Sequence, residues 1–121
     1  MEKRKLLFDC DNTMGIPDCD IDDGLCLLYL LGRKDIELLG LSSSFGNNKT
    51  AVVYENTKKM LKERGREEIP LWYGADAPRQ WENEASQKIL ETVKRYPGEV
   101  DILVTGSTTN IAGAYMLDPA F

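Results

Sequence analysis

The sequence of 121 residues is long enough to bury a hydrophobic core, and its 42% hydrophobic and 29% charged residues are typical of an ordinary globular domain. A net charge of −5 argues against nucleic acid as a partner, because phosphate backbones are bound mainly through clustered Lys and Arg. The longest apolar stretch, residues 25–31, is too short to cross a bilayer, so we expect no membrane partner. We predict a single domain over residues 1–121.

Strand-like and helix-like segments alternate four times along the chain. Residues 5–9 are predicted to form a short buried strand, and residues 22–32 carry an apolar run too long for a strand and suited to a helix. The remaining predicted elements are a strand at 36–41, a helix capped by Asn48 and ending at Gly65, a strand at 69–73, a helix at 82–96, a strand at 101–105 and a threonine-capped helix at 110–116.

This alternation predicts an α/β fold with an open parallel, Rossmann-like sheet, helices on both faces and right-handed crossovers. Ligands of such sheets bind at the carboxyl ends of the strands. Asp11 follows the first strand, Asn47 follows the second and Thr105 ends the fourth. We therefore expect these three residues, distant in sequence, to converge on one rim.

The side chains available for chemistry are limited. Three cysteines, an odd number without CxxC spacing, predict neither a disulfide framework nor a zinc site, and they favour a cytoplasmic protein. We expect neither a signal peptide nor an anchor. No histidine is present, which removes the commonest general base. Any catalysis in this stretch must therefore use carboxylates.

The acidic residues are concentrated around the loop after the first strand. Six aspartates fall within fifteen residues: Asp9, Asp11, Asp18, Asp20, Asp22 and Asp23. Placed at the end of a strand and the start of a helix, they should bring several carboxylates near one point. Helix capping and the helix dipole account for only one or two of them. Hard oxygen ligands in this number favour a calcium or magnesium site, although the EF-hand pattern is absent.

Four motifs in chain order resemble those of the inosine-uridine preferring nucleoside hydrolase family, over the whole length of the chain. The family opens with a strand ending in DxD, here residues 9–11, and a helix beginning DDA, here DDG at residues 22–24. A second strand follows at residues 37–41, then a loop ending in GN at 46–47 and a TGxxTNIA segment at 105–112. The resemblance implies a nucleoside hydrolase-like fold and hydrolysis of the N-glycosidic bond between ribose and base.

The resemblance also implies a calcium ion held by Asp11, by Asp23 in bidentate fashion and by the backbone carbonyl of Thr105. Asp11 would be the general base, taking a proton from a water that calcium has acidified and that attacks C1 of the ribose. Asp22 and Asn47 would lie in the ribose pocket and hydrogen-bond its hydroxyl groups. The implied partner is a ribonucleoside, in purine or pyrimidine salvage, and homo-oligomers are common in the family.

The sequence departs from the family in two ways. The usual spacing between DxD and DD is a few residues, whereas residues 12–21 intervene here, which predicts an enlarged loop and a divergent subgroup. The family's leaving-group histidine, its last calcium-binding aspartate and further ribose contacts are expected beyond position 121. We therefore predict the N-terminal part of a larger enzyme, holding part of the site.

A second interpretation is a haloacid dehalogenase-like phosphatase, whose first motif DxDxT is matched by residues 9–13. Residues 102–105 resemble its second motif, a hydrophobic strand ending in Thr or Ser. Asp9 would then be the nucleophile, Asp11 the acid/base and magnesium the cofactor. The DDG, GN and NIA segments have no role in that scheme, so it ranks below the hydrolase.

A third interpretation lies outside enzymology. In this interpretation the chain is a folded but inactive, truncated metal-binding fragment. Its exposed edge strand would be free to pair with another chain. Self-association without turnover would support this interpretation.

Overall fold

A computed structural model describes residues 3–121 and confirms four strands alternating with four helices. The elements are β1 (Arg4–Cys10), α1 (Asp22–Gly32), β2 (Ile36–Ser43), α2 (Thr50–Glu63), β3 (Leu71–Trp72), α3 (Glu84–Arg95), β4 (Val100–Val104) and α4 (Thr109–Leu117). β2 extends two residues beyond its predicted end. β3 is shorter than predicted, because only two of its residues pair with β2.

The four strands form one parallel sheet in the order β3-β2-β1-β4. Successive connections first move outward from β1 through β2 to β3, and the chain then returns to the opposite side of β1 for β4. β1 is therefore central, and its carboxyl end lies between the ends of β2 and β4. Asp9 is aligned with Ser42 on one side and with Val104 on the other.

The two faces of the sheet carry separate hydrophobic cores, because successive strand side chains point to opposite faces. Phe8 packs on one face with residues of α1 and α2, among them Leu27 and Leu61. Leu7 packs on the other face with Ile89 of α3 and Ala114 of α4. The predicted sheet with helices on both faces is thus confirmed, and Asp9 lies on the α3–α4 face, two residues after Leu7.

Helix capping differs from the sequence prediction. Asn48 does not cap α2: the N-cap residue is Lys49, without a side-chain hydrogen bond, and the Asn48 side chain accepts from the Lys49 N–H. Thr108 occupies the N-cap of α4, but its side chain does not cap the helix. The capping box lies at α3, where Asn83 and Ser86 bond each other reciprocally. In residues 3–121, no helix is long and apolar enough to span a membrane.

Candidate active site

The site is built where the hydrogen-bond ladder between β1 and β4 ends. The Thr105 N–H donates to the Asp9 carbonyl over 2.9 Å. In a regular parallel ladder the Asp11 N–H would next donate to the Thr105 carbonyl. That N–H instead donates to Asp23 Oδ2 over 2.9 Å. The Thr105 carbonyl therefore accepts no backbone hydrogen bond from residues 3–121 and stays available to a ligand.

The Asp11 carboxylate is held by the loop after β2. Its Oδ2 atom accepts a hydrogen bond from the Asn47 N–H over 3.1 Å. A Cβ atom at position 46 would lie 2.2 Å from the same oxygen, so the close approach of this loop requires Gly46. The convergence of Asp11, Asn47 and Thr105 on one rim, predicted from the sequence, has its physical basis in these contacts.

Three buried carboxylates, those of Asp9, Asp11 and Asp23, lie at this edge of the sheet without an ion-pair partner in the described chain. Burial, together with the neighbouring carboxylate of Asp23, raises the pKa of Asp11 to about 7. Burial likewise raises the pKa of Asp9 to about 6, although hydrogen bonds from Ser42 and Asn110 oppose this rise. None of the ion pairs formed within residues 3–121 involves these aspartates. Their mutual repulsion favours a bound cation.

The donor set fits a hard divalent cation in part. Two carboxylates and a free carbonyl are oxygen ligands of the kind that Ca²⁺ prefers. Among the described residues, no three Asp, Glu, Cys or His side chains converge closely enough to form a complete metal site. Asp11, Asp23 and Thr105 therefore fit part of a ligand set, to which other oxygen atoms would have to be added.

The predicted ribose-binding residues lie at the surface of the same rim. Asp22, the first residue of α1, and Asn47 are both exposed. Neither side chain forms a hydrogen bond with the rest of the described chain, whereas the Asn47 backbone is engaged on both sides. Of the six aspartates in and around the acidic loop, Asp9, Asp11 and Asp23 are buried, whereas Asp18, Asp20 and Asp22 are exposed.

The enlarged loop at residues 12–21 is folded against α1 and α2. The Asn56 side chain donates to the Met14 carbonyl over 3.0 Å, and the Thr13 hydroxyl donates to the Asp20 carbonyl over 2.8 Å. Met14 also packs onto α1 so closely that a Cβ atom at position 24 would lie 2.2 Å from its own Cβ. The family's DDA motif has alanine where this chain has Gly24, and Met14 of the long loop occupies the space that the alanine methyl group would need. The long loop and the change from DDA to DDG are therefore structurally linked.

Sequence reasoning did not assign a role to Asn110, which is fully buried behind the site. Its side chain donates to Asp9 Oδ2 and to the Ser43 carbonyl, each over 2.9 Å, and accepts from the Ala75 N–H over 2.9 Å. In the sequence, Asn110 stands out only as part of the TGxxTNIA motif. A polar residue in the first turn of a helix after a strand was the available signal, but its partners are distant in sequence.

A sequence profile of the inosine-uridine preferring nucleoside hydrolases matches residues 6–121. The chain belongs to this family. Uridine nucleosidase 1 of Arabidopsis thaliana is 27% identical over 145 residues, which cover 97% of this chain and 41% of that protein. The inosine-uridine preferring nucleoside hydrolase of Crithidia fasciculata is 24% identical over 145 residues, covering 96% of this chain and 44% of that protein. The chain thus spans less than half the length of these relatives.

Solved structures of nucleoside hydrolases share the fold. A plant nucleoside hydrolase superposes with a TM-score of 0.84 at 21% identity, covering 97% of this chain and 44% of that one. A purine-preferring ribonucleoside hydrolase from Gardnerella vaginalis gives the same TM-score of 0.84 at 22% identity, with coverages of 96% and 44%. The nucleoside hydrolase-like fold predicted from the sequence is therefore confirmed.

The structure argues against the phosphatase interpretation. That mechanism requires Asp9 to attack a substrate phosphorus atom, yet its side chain is only 1% exposed and is bonded to Ser42 and Asn110. A nucleophile must reach the reacting atom at van der Waals distance. Asp9 has no such access, and the family match lies elsewhere.

Proposed function

We propose that this chain supplies part of the active site for calcium-dependent hydrolysis of the N-glycosidic bond of ribonucleosides, which releases ribose and a free base. The observation that carries the proposal is the buried pair of Asp11 and Asp23 beside the free carbonyl of Thr105. The family match and the names of the relatives, which specify uridine and inosine-uridine, support this substrate class.

Asp11, Asp23 and the Thr105 carbonyl are the residues that would hold the cation. When bound, calcium supplies a positive charge that acidifies water. Asp11 is the proposed general base: its carboxylate lies at the rim and accepts the proton of the water that attacks C1 of the ribose. Without a cation the pKa of Asp11 is raised to about 7, and a bound cation would lower it, which keeps the carboxylate ionised and able to accept a proton at neutral pH.

Asp22 and Asn47 are the proposed ribose contacts. Both side chains are exposed at the rim and free of bonds to the rest of the described chain, so they can reach sugar hydroxyl groups. A carboxylate accepts a hydrogen bond from a hydroxyl group, and an amide both accepts and donates. Together they match the two neighbouring hydroxyl groups of a vicinal diol.

Three further predictions concern the whole protein: that it forms a homo-oligomer, that it is cytoplasmic and that it takes part in nucleoside salvage.

The proposal is tested by thermal unfolding of the chain in calcium, in magnesium and in chelator. A cation that binds only the folded state stabilises it by about 3 kcal/mol at a concentration one hundredfold above its Kd. We expect calcium to raise the Tm selectively, and we expect Asp23→Asn to abolish this rise because it removes a charged ligand.

The matched control is Asp18→Asn, which removes the same charge from an exposed position of the acidic loop and should retain the calcium response. Ribose release from uridine and inosine is measured in the same samples. A magnesium-selective rise that survives Asp23→Asn would contradict the proposed site. Self-association without any cation response or ribose release would favour the inactive fragment.

A further inference from the structure

Asp9 connects three neighbouring parts of the fold at the carboxyl edge of the sheet. Its Oδ2 atom accepts hydrogen bonds from the Ser42 hydroxyl, over 2.5 Å, and from Asn110 Nδ2, over 2.9 Å. Its backbone carbonyl accepts from the Thr105 N–H over 2.9 Å. One residue of β1 thus bonds the end of β2, the first turn of α4 and the residue after β4.

Asn110 extends this connection to the loop after β3. Its side chain bonds the Ser43 carbonyl and the Ala75 N–H in addition to Asp9. The packing is tight: a Cβ atom at position 74 would lie 2.0 Å from the Ser43 carbonyl oxygen and 2.3 Å from Asn110 Nδ2. The buried network therefore fixes the ends of neighbouring strands relative to one another.

The hydrogen bonds do not explain why residue 9 is charged. Both donors bond the same oxygen, Oδ2, while the buried Oδ1 atom has no partner within residues 3–121. A neutral amide oxygen could accept both bonds, and burying a charge without a counter-ion is costly. The hydrogen-bond network by itself therefore does not require a charged side chain at position 9.

We propose that Asp9 is a positioning residue for the cation: its hydrogen bonds hold the strand ends, and its charge attracts the cation from behind Asp11 and Thr105. This inference rests on the proposed function. Carboxylates that do not ligate a metal but orient and polarise its ligands are a common part of metal sites, and their loss lowers metal affinity about 10–100-fold. Asp9 lies two residues before Asp11, and its backbone carbonyl accepts the N–H of Thr105, whereas its carboxylate bonds Ser42 and Asn110. The carboxylate therefore acts on the cation through its charge.

The test is the calcium affinity of Asp9→Asn, measured by isothermal titration calorimetry together with its Tm in chelator. The amide oxygen can retain the bonds from Ser42 and Asn110, and the amide nitrogen takes the place of the unpartnered Oδ1, so the charge is removed without loss of either bond. We expect the metal-free Tm to stay at or above that of the wild type, because an uncompensated charge is removed. We expect the calcium Kd to rise about 10–100-fold.

The matched control is Ser42→Ala, which keeps the charge and removes one hydrogen bond. It should lower the metal-free Tm and change the calcium Kd by much less than Asp9→Asn does. A wild-type calcium Kd for Asp9→Asn, or a metal-free Tm below that of Ser42→Ala, would overturn the inference and leave the proposed function standing. Failure of the wild-type chain to bind calcium would instead overturn the proposed function, and this inference with it.

Discussion

The contact between Asp11 and position 46 makes the carboxylate sensitive to a single methyl group. A Cβ atom at Gly46 would overlap Asp11 Oδ2, which must then turn away from the Asn47 N–H. We expect Gly46→Ala to abolish the calcium-dependent rise in Tm. In chelator its Tm should also fall, because the added Cβ atom meets a buried carboxylate and residue 46 has a φ of +159°, a conformation that L side chains rarely adopt.

Gly32→Ala is the control for this substitution, since a Cβ atom there meets nothing within 4 Å. It should leave the calcium response unchanged. A calcium-dependent rise of wild-type size in Gly46→Ala would show that the Asp11 carboxylate does not need its observed position.

At the residue scale, the density of aspartates in the acidic loop predicted a cation site, and the family resemblance supplied the choice of Asp11 and Asp23 as its ligands. The free carbonyl of Thr105 came from the family resemblance, and its physical reason, the diversion of the Asp11 N–H to Asp23, depends on atomic positions. The bonds of Asn110 span up to 101 residues of sequence, which no local pattern reveals.

At the element scale, α1 carries two glycines whose surroundings are opposite. Gly24 lies in the first turn against Met14, and Gly32 ends the helix in open space. Gly24→Ala should destabilise the fold by about 1–3 kcal/mol, because the added methyl group overlaps the Met14 side chain at its Cβ. Gly32→Ala should be neutral or stabilise by up to about 1 kcal/mol, since alanine has the higher helix propensity.

The measurement for this pair is chemical denaturation of both variants in chelator. Equal stabilities of Gly24→Ala and Gly32→Ala would show that the 12–21 loop is not packed on α1 as described. The pair is informative because both changes are glycine to alanine in one helix, so differences in intrinsic propensity largely cancel.

Element boundaries show which local signals were sufficient. Helices α1 and α3 were predicted within two residues because apolar runs and stop signals are local. β3 was predicted as five residues, yet only Leu71 and Trp72 pair, because strand length depends on the neighbouring strand. Asn48 has the chemistry of an N-cap, but its side chain accepts from the adjacent N–H instead, so that signal was misleading.

For the whole molecule, strand and helix alternation predicted the parallel sheet and its two helical layers. The strand order β3-β2-β1-β4 was not predicted, because it depends on which side of the sheet each crossover takes. This order makes β1 central and places the ends of β2 and β4 beside Asp11. That residues 1–121 form one domain of a larger enzyme stays a prediction.

The distribution of charge over the molecule leads to the last prediction. Asp18, Asp20 and Asp22 are exposed beside the buried pair, and no ion pair within residues 3–121 neutralises them. Salt screens exposed charges over about 8–10 Å at physiological ionic strength. In chelator, added NaCl should therefore raise the Tm by a few degrees, and saturating calcium should remove most of this dependence. The double variant Asp18→Asn/Asp20→Asn should show a weaker salt dependence than the wild type.

The overall net charge could also cause the salt dependence of the metal-free Tm. A second double variant distinguishes this cause from local repulsion at the acidic rim. Glu67→Gln/Glu82→Gln removes the same two charges from exposed positions in the loops before β3 and before α3. If repulsion is local to the acidic rim, this variant keeps the full salt dependence of the metal-free Tm. Equal weakening in both double variants would mean that the overall charge of −5, rather than the rim, opposes folding. The calcium response would then owe less to relief of rim repulsion and more to direct coordination by the carboxylates.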